Sequence, residues 1–486
     1  MATNLLEPRQ LASPIIRQYI NLTGVDFHNE ASRVALNRSP DALNVYKNYR
    51  SSGECIETRP GWELLGDFSN QINGLYFFEH NNGYIVIVHS GTNLYKWNNF
   101  PDSDSSNFQL LFNGMANTKS QFIVFMNMLY ILDGENYLRY DGSILTDVST
   151  FAYVPTTTIG RSPSGGGEMY QGVNLLTPAR INQFTGDGTS VDYALDSTSI
   201  DNTTVSAVVD DVTLTEGTDF TVNRTTGVVT FNTAPSHPAN DMDNVFITFS
   251  KTVSGYADRI PNCRLMTVFD NRVFFSGNPD FKNAVFHSAL ENPAYISDLA
   301  YYQDGLDESP IKSFCVGNNV LWVFKESNQQ NNTIYYHVPT LDTVNGRIYP
   351  SAQGNVSIGC NSDCCNFNDD IVFMTEEGLE GVSGYIASEQ ILNHRSTLVD
   401  ARMTNEEDFD QCKFTEWQGY LLCLINGKIY LADSRQLFRG IESKEYEWYY
   451  WELQNEGKLV LLREYKGNLY LRIFWWKNRH FRRHKR

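Results

Sequence analysis

No stretch of this 486-residue chain holds eighteen consecutive apolar residues, so no membrane-spanning helix is expected. The opening residues, Met1 to Arg9, lack the charged-then-apolar order of a secretory signal. Cysteine is sparse, with eight residues, too few for a disulfide scaffold in so long a chain. That usage fits folding in a reducing cytoplasm. Basic side chains are outnumbered, 38 against 56 acidic ones, for a net charge of -18. A general nucleic-acid surface needs a basic stripe to displace counterions, so that class is disfavoured. The same balance is compatible with solubility alone, or with an acidic lumen along which nucleic acid slides.

Catalytic and metal signatures are missing too. Cys360, Cys364 and Cys365 cluster with Asp363, but no second Cys-x-x-Cys completes a tetrahedral set. Cys412, Cys423 and His394 are scattered along the sequence, and buried apolar thiols are the expectation. The acidic pairs Asp210-Asp211, Asp369-Asp370 and Glu376-Glu377 are sequence neighbours. They cannot face one another across the gap a glycosidase needs. Gly186-Asp187-Gly188 reads as a turn, since no P-loop or dinucleotide fingerprint surrounds it. Nine histidines form no His-Glu-x-x-His, and no nucleophile elbow or calcium loop occurs. No catalytic, cofactor-binding or metal residue is assigned, and the expectation is a protein that is not an enzyme.

What is present is an aromatic repeat. Hydrophobic residues make up 41% of the chain, with 27 Tyr and 29 Phe, a supply that favours strands. An apolar run, a tight Asn, Asp or Gly turn and a second apolar run recur. The clearest copy spans 75–78, 84–88 and 94–97, and the next begins at Phe122. Further starts lie at Leu265, Phe314, Cys364, Phe414 and Leu459, seven in all. Once one insertion is removed, the spacing of about 45 residues fits one four-stranded blade per repeat. The fold class read from this pattern is all-β, a β-propeller of about six or seven blades. The last repeat is short of strands, and its closure needs residues near 56–65, joining both chain ends.

Residues 1–60 read as an extended N-terminal arm, either a strap across the main body or a segment that reaches a neighbouring subunit. Ser39-Pro40-Asp41 has the chemistry of a helix start. The propeller's first blades occupy 61–155, and 156–172 reads as a Ser/Thr/Gly/Pro-rich linker. Residues 173–252 are poor in aromatics and rich in Thr, Val and Asp, an inserted small β-sandwich. The remaining blades follow over 256–476. Residues 477–486 hold six Lys or Arg and read as a basic tail, either an interaction segment or an aberrant chain end.

Two stretches carry a family resemblance. The arm, Ser39-Pro40-Asp41-Ala42-Leu43-Asn44-Val45-Tyr46-Lys47-Asn48 followed by Ile56-Glu57-Thr58-Arg59-Pro60-Gly61-Trp62, resembles the N-terminal signature of tailed-bacteriophage propeller proteins. Residues 184–188, 212–222, 227–231 and 234–235 are similar to a β-sandwich module of phage tail and fibre proteins. The resemblance implies a virion structural protein, a subunit of the tail hub or nozzle (also called stabilisation protein). It would assemble around the tail axis and form part of the DNA-exit channel. The implied partners are copies of itself in a ring, other tail or head–tail connector proteins, and transient contact with phage DNA. The implied location is the virion tail after synthesis in the host bacterial cytoplasm. The alternative is a receptor- or glycan-binding tail protein. No cofactor is implied.

Overall fold

The computed structural model describes residues 22–485 apart from 51–54, 69, 82, 98–107, 307–308, 329–331, 344–345, 355, 383–391, 436–444, 453–457, 466–467 and 475–478. Over 61–67 and 458–485 it describes the backbone alone. Seven four-stranded antiparallel sheets run along the chain. Blades 1 to 6 span 72–112, 121–147, 265–303, 311–354, 364–394 and 413–452. Blade 7 places Gly61–Phe68 outermost, then Arg479–Lys485, Asn468–Phe474 and Lys458–Tyr465. The first strand of each blade lies against the first strand of the next, and that of blade 7 against that of blade 1. The architecture is a seven-bladed β-propeller whose last blade joins both ends of the described chain. Residues 479–485, set apart as a basic tail by composition, are instead an interior strand.

Strand alternation builds the wedges between blades. On Met128–Leu132, Leu129 and Ile131 enter the core shared with blade 1, while Tyr130 and Leu132 enter the core shared with blade 3. Both faces of a blade are covered, so its strands read as continuous apolar runs. Three further clusters include Phe274 with Leu321, Phe324 with Phe373, and Phe367 with Tyr430, each bridging adjacent blades.

The hairpin joining the first two strands of a blade turns on two residues with positive φ in blades 2 to 6. Four of these are Asp270-Asn271, Asn318-Asn319, Asn368-Asp369 and Gln418-Gly419. This is the type I′ turn, whose twist matches the strands and which Asn, Asp and Gly enter at least cost. Blade 2 uses Met126-Asn127, with Met126 at φ 50°. A side chain there is strained. Since Met126 is exposed, Met126→Gly is expected to raise stability by about 1 kcal/mol, read as a higher urea midpoint with unchanged slope.

The inserted domain is a six-stranded sheet facing a three-stranded one around a core that includes Phe184, Tyr193, Phe231 and Ile247. It starts earlier than the composition indicated. Thr156–Arg161 pairs in parallel with Ala179–Phe184, so the segment read as a linker is structural. Its glycines serve a turn: Ser162 and Gly165 exchange backbone hydrogen bonds of 3.2 and 2.9 Å.

The arm is a strap on blade 6. The Val25 N–H donates to the Trp448 carbonyl and the Asn44 N–H to that of Tyr450, covering the outer edge of the blade. Tyr46 is buried against Trp417, Tyr420 and Trp451. No helix follows Ser39. Asn44 takes φ 61° and Val45–Asn48 forms a hairpin with Cys55–Thr58, because pairing and aromatic burial outweigh a local capping signal.

Candidate functional sites

The residues weighed in the sequence fall into structural places. Asp210-Asp211 and Asp369 with Asn368 occupy type I′ turns, and Glu376-Glu377 sits in the turn after Asp370–Thr375. All eight cysteines are free thiols. The topology brings Cys364 beside Cys315 and Cys423 beside Cys412, and burial pushes Cys364 and Cys423 well above the ordinary thiol range. Asp363 is the polar hub of this region. It receives the Ser313 hydroxyl at 3.3 Å and the Phe414 N–H at 3.2 Å, with the Lys413 ammonium 3.4 Å away.

His394 is not isolated as its position in the sequence implied. Its Nε2 meets Asp400 at 2.6 Å and its Nδ1 meets Glu380 at 2.6 Å. Hydrogen bonds to Asp400 and then Glu380 raise its pKa to about 10, against partial burial. A base raised by folding stabilises fully below its unfolded pKa, near 6.5, and that support is lost as pH climbs through about 10. His394→Gln is therefore expected to cost about 1–2 kcal/mol at pH 6 and little at pH 10.5, after allowing for solvent screening. Urea titrations of both proteins across that window check it.

Two constellations escaped sequence reading. His337 is fully buried, its Nδ1 donating to the Tyr349 carbonyl at 2.9 Å and its Nε2 to Asp304 at 3.0 Å. Burial opposes its protonation, and the Asp304 contact overcomes that and raises its pKa. Ser351 also donates to Asp304, so the hydroxyl faces the carboxylate and not the imidazole. The second is Asp433 with Glu447, directly opposite on adjacent strands of blade 6. Asp433 accepts from the Tyr49 hydroxyl at 2.7 Å and from Arg435 Nε at 2.7 Å. Burial, then the Asp433 charge, raises Glu447 to about 7.

Paired carboxylates with one raised pKa can serve acid–base chemistry. Here Asp433 is fully buried, and Tyr49 from the arm is hydrogen-bonded onto it. The pair is a clasp for the strap. A carboxyl raised by folding weakens the fold as pH rises from about 4.5 towards 7. Glu447→Gln is expected to stabilise by about 2 kcal/mol at pH 8 and to be neutral near pH 4, measured by denaturant titration.

An open concavity lies on the inserted sandwich, a cleft of about 360 Å³ lined by Arg161, Ser162, Thr185, Asp187, Ser190 and His237 among others. The sequence read Gly186-Asp187-Gly188 as a turn. Asp187 does accept the Thr189 and Ser190 N–H groups at 2.8 and 2.6 Å, yet it also lines this cleft. Arg161 lies over the Phe184 ring and donates to the carbonyls of Gly166 and Ala194 at 2.6 and 2.9 Å. The lining offers donors and acceptors to a polar ligand. Among the described residues no group of three or more His, Cys, Asp or Glu is arranged to hold a metal ion.

No known family matches the sequence, and no curated protein matches it. Among solved structures the chain is similar to BamB from Moraxella catarrhalis, with 11% identity over 87% of this chain and 97% of that one, and a TM-score of 0.36. It is also similar to the AfRom2 CNH domain, with 8% identity over 88% and 99% of the two chains, and a TM-score of 0.37. At such scores the likeness adds no argument, and the propeller assignment stands on the seven sheets and their closure.

Proposed function

We propose that this chain is a structural subunit of a bacteriophage virion, part of the tail hub or nozzle that assembles around the tail axis and forms part of the DNA-exit channel. The observation that carries the reading is the arm. The stretches with the phage-type residue order, 39–48 and 56–62, strap blade 6 and lead into the strand that completes blade 7. An arm signature built into ring closure is what a rigid wall element requires. The buried ionic clusters support the same view, because Asp304 ties blade 3 to His337 of blade 4, and Asp433 ties blade 6 to the arm. In this reading the partners are copies of the chain, other tail or connector proteins, and DNA passing through the lumen. Gold-labelled antibody on purified virions, viewed in negative stain, should decorate the tail. Label confined to heads or absent from particles would sink the proposal.

A second reading, receptor or glycan binding, draws on the sandwich cleft, whose hydroxyl, carboxylate and imidazole lining suits a polyhydroxylated ligand. Retention on host-envelope glycans, abolished by Asp187→Lys, would support it. No retention at millimolar glycan would remove it.

A further inference from the structure

An apolar patch lies where the inserted domain departs from blade 2 and rejoins the ring at blade 3. Tyr153 packs on Tyr295 with ring centroids 5.0 Å apart and donates to Gln171. The Tyr295 hydroxyl donates to the Gly172 carbonyl, and Leu299 adjoins Gly172. Around them Met169, Tyr170 and Leu299 are exposed by 73, 63 and 62%. Large side chains grouped this way on a surface mark an interaction site. Two sheet edges border the patch. Glu168–Met169 ends the six-stranded sheet, and Tyr301–Gln303 is the outermost strand of blade 3. Among the described residues no strand pairs beyond either. Such edges accept an added extended segment.

The chain supplies an occupant of matching chemistry. Ahead of Leu22 stand 21 residues that include Leu5, Leu6, Leu11, Ile15, Ile16 and Ile20. Their charged residues are Arg9, Arg17 and Glu7, a net positive segment in a negative protein, and Glu168 sits on the patch rim. The following residues already show the docking mode, since Val25 and Asn44 hydrogen-bond along the free edge of blade 6. That attachment fixes where the segment departs. Blade 6 is separated from blade 3 by two blades one way and three the other, so departure point and patch lie on opposite flanks of the ring. Twenty-one residues reach at most about 70 Å when extended. A departure point and an acceptor on opposite flanks make a head-to-tail contact, the kind that closes rings.

We propose that residues 1–21 of one copy dock on the patch around Tyr153, Tyr170 and Leu299 of the next copy, head to tail. This rests on the self-assembly part of the function proposed above. The test uses the full chain and native mass spectrometry over a concentration series. One variant carries Ile15→Asp and Ile16→Asp, and the other carries Tyr170→Asp and Leu299→Asp. Tyr170 and Leu299 are exposed, and circular dichroism confirms the folding of both variants. Each variant alone should lose association by on the order of tenfold or more. An equimolar mixture should form a one-contact heterodimer, because each partner retains the half the other lacks. Unchanged assembly of both variants overturns the docking proposal while leaving the tail-subunit reading intact. Loss in the patch variant alone overturns it in favour of a patch-to-patch contact. A wild-type chain that stays monomeric at every concentration overturns both the docking and the self-assembly on which it rests.

Discussion

Trp448→Ala is expected to lower stability by about 3–5 kcal/mol, the range for truncating a fully buried large aromatic. Trp448 stands in the outer strand of blade 6 and belongs to the core that blade 6 shares with blade 5. Its indole N–H donates to the Arg395 carbonyl at 2.9 Å, so the change leaves a cavity and removes a buried hydrogen bond. Its backbone carbonyl receives the Val25 N–H, and Val25 is in the same core. The strap should therefore loosen with the cavity. Denaturant titration reads the first effect, and protease sensitivity near Thr23 reads the second. A loss below about 1 kcal/mol would mean that this wedge can collapse around the gap.

Arg482→Pro is expected to cost about 3 kcal/mol or more. Proline removes a ladder donor and is excluded from interior strands. Arg482 is interior, paired with Leu64 on one side and Leu471 on the other. Leu64→Pro, on the outermost strand of the same blade, should cost less, since an edge position tolerates proline better. The informative result is the double variant. Both substitutions break one closure, so the pair should cost clearly less than the sum of the singles. Strict additivity would mean that the ends of the chain do not fold as one unit.

What could be read from the sequence was what local chemistry decides. Paired Asn, Asp and Gly residues announced the type I′ turns, and continuous aromatic runs announced strands covered on both faces. The inserted domain's start was hidden because Thr156–Arg161 finds its partner in a parallel strand beyond a glycine turn. The tail was misread because its composition is basic, while its place is set by backbone pairing with Gly61–Phe68, more than 400 positions away. Ser39-Pro40-Asp41 carries capping chemistry, and the same hydroxyl instead meets the Asp41 N–H in a bend, at 3.4 Å. The Asp433 and Glu447 clasp needs a register, and thirteen intervening residues give no hint of one. His394 shows the same limit, since Glu380 and Asp400 reach it only after blade 5 has folded.

Because Gly61–Phe68 meets Arg479–Lys485, one of the earliest strands to leave the ribosome has to wait for nearly the last. At about 5–20 residues per second that delay is roughly 20–80 s. For that interval the nascent chain carries a half-finished sheet in the crowded cell, where it is open to capture by chaperones or to tangling with a sister chain on the same messenger. Translation speed through the second half of the message thus bears directly on the yield of intact toroids.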